Sequence, residues 1–219
     1  MKKFSLQDVA ALVIGVLPLG YLLWVYNSLP AIVPLHYGAD GKPNGFGPKT
    51  ELFLLQALLI GVSFLIYLLL KFLPSIDPKK QVKYGEKTFN KLGMGLVIFL
   101  AALNICVTFS TVNRSFNAGR LLLPMISLLF VFLGNMMNTI KPNYFAGVRT
   151  PWTLEDEGNW RATHRLAGKL WFIGGILLAI ATLVLPLQTG TYIFIPCIVL
   201  MAFIPMIYSY IYFKKHQLK

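Results

Sequence analysis

In its 219 residues the chain is 56% hydrophobic and only 13% charged, with a mean hydropathy of +0.65, which excludes an ordinary soluble domain and points to a polytopic membrane protein. The formal net charge of +12 does not imply nucleic acid, because the lysines sit at the ends of apolar runs facing anionic lipid, with no DNA- or RNA-binding motif around them. Cys106 and Cys197 fall inside apolar runs without metal-ligand spacing, so neither a disulfide nor a metal cluster is expected.

About 20 apolar residues cross roughly 30 Å of hydrocarbon. Runs of that length occupy 7–29, 51–73, 92–112, 120–140, 166–186 and 191–213, which predicts an all-α integral membrane protein with six transmembrane helices. The first run follows Lys2 and Lys3 as a signal peptide would, yet it is too long and no A-x-A-like cleavage site follows it, so it should remain in the mature chain. Segment 30–50 carries four prolines and four glycines and should consist of turns and extended pieces. Segment 74–91 is lysine-rich and reads as a solvated, lipid-facing connector. Segments 113–119 and 187–190 read as short hairpin links between antiparallel helices. The expected organisation is a two-helix module over 1–80, with its long extracytoplasmic loop 30–50, followed by a four-helix region over 81–219.

Charge sets the orientation. With the amino terminus in the cytoplasm, Lys42, Lys49, Arg114 and Arg120 lie outside and the other sixteen basic residues inside, as the positive-inside rule requires. Both termini are then cytoplasmic. Within the spans Gln56, Ser63, Asn104, Thr108, Asn135, Asn138 and Thr182 are expected to face the bundle interior and bond between helices. No Asp, Glu, Lys or Arg falls at mid-depth of a span, which disfavours a small transporter or exporter. Gly175 and Ala179 form a small-xxx-small pair suited to helix packing.

The densest polar information lies between the fourth and fifth runs, in KPNYFAGVRTPWTLEDEGNWRATHRLAGK from Lys141 to Lys169. A plain connector does not need two tryptophans, three arginines, a histidine and an acidic triplet; such a segment is a folded surface element or a site. Pro142, Asn143, Gly147 and Pro151 predict an ordered non-helical loop from Lys141 to Trp152. Thr153 is the expected N-cap, followed by Glu155, Asp156 and Glu157 in the first turn. An interfacial helix should then merge with the fifth span, placing Trp160, His164, Gly168 and Trp171 on one face and pairing Glu157 with Arg161. Arg149 is too costly to bury alone and is expected to clasp Glu157 or Asp156.

Three chemistries compete for this element. Its tryptophans can form an interfacial belt, its arginines can anchor lipid phosphate, and His164 can satisfy a loop carbonyl. As an enzyme it would use His164 as general base, with Arg149 or Arg165 holding a phosphate. No metal reading fits, because His36, His164 and His216 lie at different depths and no H-E-x-x-H occurs.

The residues Asn143, Gly147, Arg149, Thr150, Pro151, Trp152, Thr153, Leu154, Glu157, Trp160, Thr163, His164, Arg165 and Gly168 resemble, in type and spacing, the signature of the SdpI family, the bacterial sporulation-delay immunity proteins. The outer loop is similar to the amino-terminal module often found in that family, through Pro30, Ile32, Pro34, His36, Gly41, Pro43 and Lys49. Val148, Ala167 and Asn44 depart from the usual isoleucine, glycine and aspartate. The resemblance implies a binding protein and not an enzyme, without cofactor, in the bacterial cytoplasmic membrane. It implies protection of the cell from a secreted membrane-active peptide toxin, and signalling by holding a transcriptional repressor at the inner surface. On that footing the cytoplasmic loop 141–165 with Gly168 is the signature site, and Pro34, His36, Tyr37, Gly41 and Lys49 are the toxin-contact candidates.

Overall fold

The computed structural model describes residues 4–38, 43–76, 86–113, 116 and 118–217. The basic residues Lys2, Lys3, Lys42, Lys79, Lys80, Lys83, Arg114 and Lys219, and the toxin-contact candidate Gly41, lie outside the described residues. The main helices are α1 (Leu6–Val25), α2 (Glu51–Ile76), α3 (Glu86–Val112), α4 (Gly119–Met137), the short α5 (Pro151–Glu155), α6 (Glu157–Val184) and α7 (Leu187–Gln217). A 3₁₀ turn, Tyr26–Ser28, extends α1. Among the described residues six helices are long and apolar enough to span a bilayer: Leu6–Ser28, Glu51–Ile76, Glu86–Val112, Gly119–Met137, Glu157–Val184 and Leu187–His216. This is a multi-pass membrane protein.

One expectation about connections changes. Segment 187–190 is the first turn of α7 and not a link, because Gly190 N–H already bonds to the Pro186 carbonyl and the turn closes at once. In segment 30–50 the expected extended pieces are present and are paired into a hairpin: Ile32–Tyr37 (β1) and Pro43–Pro48 (β2) run antiparallel, with Ile32 opposite Pro48 and Pro34 opposite Phe46. The ladder is irregular around His36. One face of this hairpin buries Val33 against Leu22, Leu29 and Leu52, so apolar contact with the end of α1 and the start of α2 holds the strands together.

Helix α3 packs chiefly against α1 and α2, while α4 packs most extensively on α6 and α6 on α7. The first group is joined by buried polar groups. Gln56 Nε2 donates to the Pro18 carbonyl at 3.2 Å and to Thr108 Oγ1 at 3.1 Å, and Thr108 returns its proton to the Asn104 carbonyl. At the other end Asp8, 6% exposed, accepts from Ser5, from the Tyr67 hydroxyl at 2.8 Å and from Lys71 at 2.6 Å. In the second group the backbones approach through small residues. A Cβ on Gly134 would stand 2.5 Å from the Phe172 nitrogen, and one on Gly175 would stand 2.8 Å from the Ser127 carbonyl oxygen. Gly175 therefore acts in packing, as small residues do where no hydrophobic gradient separates helix from lipid.

Of the span residues expected to face inward, Gln56, Ser63, Asn104, Thr108 and Thr182 are buried. Asn135 and Asn138 are exposed. Asn135 lies in the last turn of α4 and Asn138 is its C-cap, so these two amides fall at the end of the helix and on its exposed side, not in the bundle interior.

Candidate functional site

The signature residues form one folded element across the start of α6, and backbone chemistry explains its shape. Asn143, fully buried, uses every polar atom of its amide: its Nδ2 donates to the carbonyls of Lys141 and Ala146, and its Oδ1 accepts from the amides of Phe145 and Ala146. The chain then bends at Gly147, whose φ is +106°. A glycine is needed there, since the conformation disfavours a side chain and a Cβ would lie against His164 Nε2.

His164, 1% exposed, is the pivot beneath that bend. Its Nε2 accepts the Val148 amide proton at 3.2 Å, and its Nδ1 donates to the Trp160 carbonyl at 2.9 Å. That pattern requires the neutral ring with its proton on Nδ1. The loop group that His164 satisfies is the Val148 amide and not the carbonyl anticipated from sequence. Its ring stacks on Trp160 at 4.0 Å between centroids, and the Trp160 indole donates to the Ile140 carbonyl at 2.9 Å. Trp160 is 1% exposed, so it locks the end of α4 to α6 and is not a belt residue.

The helix starts differ from the expected ones. Thr150 caps α5, accepting from the Thr153 amide, and Thr153 answers with its hydroxyl, which accepts from the Thr150 amide at 2.9 Å and reaches the Val148 carbonyl at 3.0 Å. Pro151 occupies the first helical turn, where its missing N–H costs nothing. The predicted non-helical stretch therefore ends at Thr150, with Trp152 already in α5. Asp156, not Thr153, caps the long helix, accepting from the Gly158 amide at 2.7 Å. The capping box of α5 and the separate Asp156 cap of α6 were hidden because the acidic triplet reads as a single first turn.

Arg149 does not clasp a carboxylate. It is exposed and its Nη1 donates to the Tyr144 carbonyl at 2.6 Å. An exposed guanidinium gains little from an ion pair against solvent, and the tight loop offers a carbonyl nearer than either acid. Glu157 and Arg161 do pair, at 3.7 Å with both side chains exposed, a contact of small energetic weight. Arg165 is exposed, while Thr163 and Gly168 are buried. Gly168 meets the Gly134 carbonyl, where a Cβ would stand 3.0 Å away.

Two residues outside the sequence signature complete the element. Asn159, fully buried, donates to the Ser209 carbonyl at 2.9 Å and accepts from Thr163 at 2.9 Å. Ser209 Oγ lies 3.0 Å from Thr150 Oγ1, tying α7 to the cap of α5. The available signal was a lone serine between two tyrosines in an otherwise apolar last helix. Trp152 packs on Tyr210 and Phe213 of the same helix, 5.0 and 5.9 Å between centroids. Trp171 donates to the Met201 carbonyl at 2.8 Å; that carbonyl is left without its helical donor because Pro205 stands four residues on.

On the other side of the protein the toxin-contact candidates separate. Tyr37 bonds through its hydroxyl to Ser110 of α3 at 3.1 Å, and Lys49 donates to the Tyr26 carbonyl at 3.0 Å while lying 4.4 Å over the Tyr26 ring. Both pin the hairpin to the spans. His36 is exposed, its Nδ1 donating to Asn44 Oδ1, and Pro34 is half-buried.

Residues 139–209 match the SdpI/YfhL protein family, and residues 13–60 match a domain of unknown function (DUF1648). The chain is 28% identical over 194 residues to a protein of Bacillus subtilis (strain 168) named Immunity protein SdpI, covering 87% of this chain and 88% of that one. It is also 47% identical over 38 residues to an uncharacterized protein of Archaeoglobus fulgidus, 17% of this chain and 21% of that one. No solved structure matches.

Proposed function

We propose, from the premise that segment 139–209 belongs to the SdpI/YfhL family, that this multi-pass protein of the bacterial membrane is an immunity protein that protects its cell against a secreted, membrane-active peptide toxin. The observation that carries this is the likeness to a protein named for immunity along 87% of the chain. Both termini are cytoplasmic in this reading, which puts the hairpin outside and the signature element inside. The exposed His36, with Pro34 and Gly41, contacts the peptide. The signature element then offers the inner surface at which a transcriptional repressor is held. The function is binding: His164 has both ring nitrogens engaged by backbone groups, which leaves no lone pair for a general base.

Orientation is tested in a chain whose Cys106 and Cys197 are replaced by alanine, with single cysteines introduced by Phe46→Cys or Glu157→Cys, both at exposed positions. An impermeant thiol reagent applied to intact cells should label the first and spare the second; the reverse pattern inverts the topology.

Function is tested by expressing the chain in cells sensitive to purified sporulation-delay toxin and scoring survival. Survival should rise with the parent chain. It should fall more with His164→Ala than with His164→Gln, whose amide can still accept from Val148. Survival no better than that of cells lacking the chain would remove the immunity reading.

A further inference from the structure

The inner ends of α4 and α6 enclose a cleft of about 400 Å³ lined by Asn138, Ile140, Trp160, Arg161, His164 and Arg165. Arg161 and Arg165 stand one helical turn apart and both are exposed, so their guanidinium groups rise on the same side of α6. Lys169, also exposed, continues the line by another turn. Like charges at this spacing destabilise a helix, and the one acid on the line, Glu157, answers only Arg161, at 3.7 Å. Arg165 makes no ion pair or hydrogen bond with a described residue. The Asn138 amide, just beyond α4, is exposed at the same opening.

The rest of the lining is of another kind. Ile140 and the stacked Trp160–His164 pair are buried, and the polar atoms of those two rings are consumed by backbone groups. The cleft therefore presents cationic forks and an amide at its mouth over a wall with no polar capacity to spare. Two guanidinium groups and an amide match the several acceptor oxygens of a phosphate better than the two of a carboxylate. The position, where the apolar run of α6 gives way to Lys169, Arg165 and Arg161, is that of a headgroup layer.

We propose that Arg161 and Arg165, with Asn138, bind a phosphate group in this cleft, carried by an anionic phospholipid or by a soluble phosphate compound. The bound anion offsets the repulsion along α6 and braces the helix against α4. This does not depend on the immunity reading, since it invokes no toxin.

The full chain, purified in neutral detergent, is titrated with phosphatidylglycerol and separately with inorganic phosphate, with binding followed by native mass spectrometry and calorimetry. At least one probe should bind saturably. Arg161→Gln/Arg165→Gln should weaken it roughly ten-fold or more, and Arg165→Lys, which keeps the charge and loses the fork, several-fold. Lys214→Gln/Lys215→Gln, on exposed residues of α7, should leave it unchanged. Binding of the lipid alone assigns the phosphate to a headgroup, and binding of inorganic phosphate assigns it to a soluble source. Without a probe, the thermal midpoints of the variants should lie no more than a small margin below the parent's, because both arginines are exposed and their removal also relieves repulsion along α6. The proposal is overturned if neither probe saturates, if the double arginine variant binds as the parent does, or if the α7 control loses as much.

Discussion

Gly147→Ala should unseat the signature loop from α6. At φ +106° a β-carbon costs roughly 1–3 kcal/mol in backbone strain. Overpacking against the buried His164 ring, whose Nε2 the new carbon would meet, adds about 1–3 kcal/mol. The thermal midpoint of the purified protein should fall, and protease should cut near Tyr144 and Phe145, which are exposed, faster than in the parent. The cause can be separated by a double-mutant cycle. Adding His164→Ala removes the clash but not the strained φ, so the double variant should be less destabilised than the two single effects added, with a coupling of about 0.5–3 kcal/mol. Strict additivity would show that the ring and the glycine do not press on each other.

Asp8→Ala should be the more damaging change outside the signature. Asp8 is buried and its carboxylate gathers Ser5, Tyr67 and Lys71, so one residue ties the start of α1 to α2. Removing one partner of a buried ion pair costs about 3–5 kcal/mol, because the remaining charge keeps its desolvation cost. Chemical unfolding in mixed micelles should show that loss. Asp8→Ala/Lys71→Met, which removes both charges, should recover part of it. A single variant within 1 kcal/mol of the parent, the range of an exposed pair, would mean that water reaches the pair.

The difference between these sites is instructive about legibility. The signature element could be located from its composition, and Pro142, Asn143, Gly147 and Pro151 marked it as a non-helical loop, whereas the positive φ that requires glycine at position 147 came only with the fold. Its internal bonding could not be read. Arg149 looked like the clasp because a charge on a proline-bounded loop suggests a partner, yet only the path of the folded backbone brings the Tyr144 carbonyl within 2.6 Å. Asp8 was passed over for a related reason. It sits three residues after Ser5 and reads as a capping-box acid, which it is, while its bonds to Tyr67 and Lys71 span 59 and 63 residues.

Sequence by itself determined the membrane class, the number of spans and the place along the chain of the polar element, because these follow from the length of apolar runs and from turn chemistry, which are local. It also marked Trp160, His164 and Gly168 as one helical face, a consequence of the 3.6-residue repeat. Tertiary structure alone decided what that face meets: the Val148 amide on His164, the Ile140 carbonyl on Trp160 and the Gly134 backbone on Gly168. The same is true of Asn159 and Ser209, which meet across 50 residues, and of the pairing of β1 with β2. Hydrogen bonds and backbone contacts depend on distances of a few tenths of an ångström, and such distances between distant segments are set by packing, which no local pattern encodes.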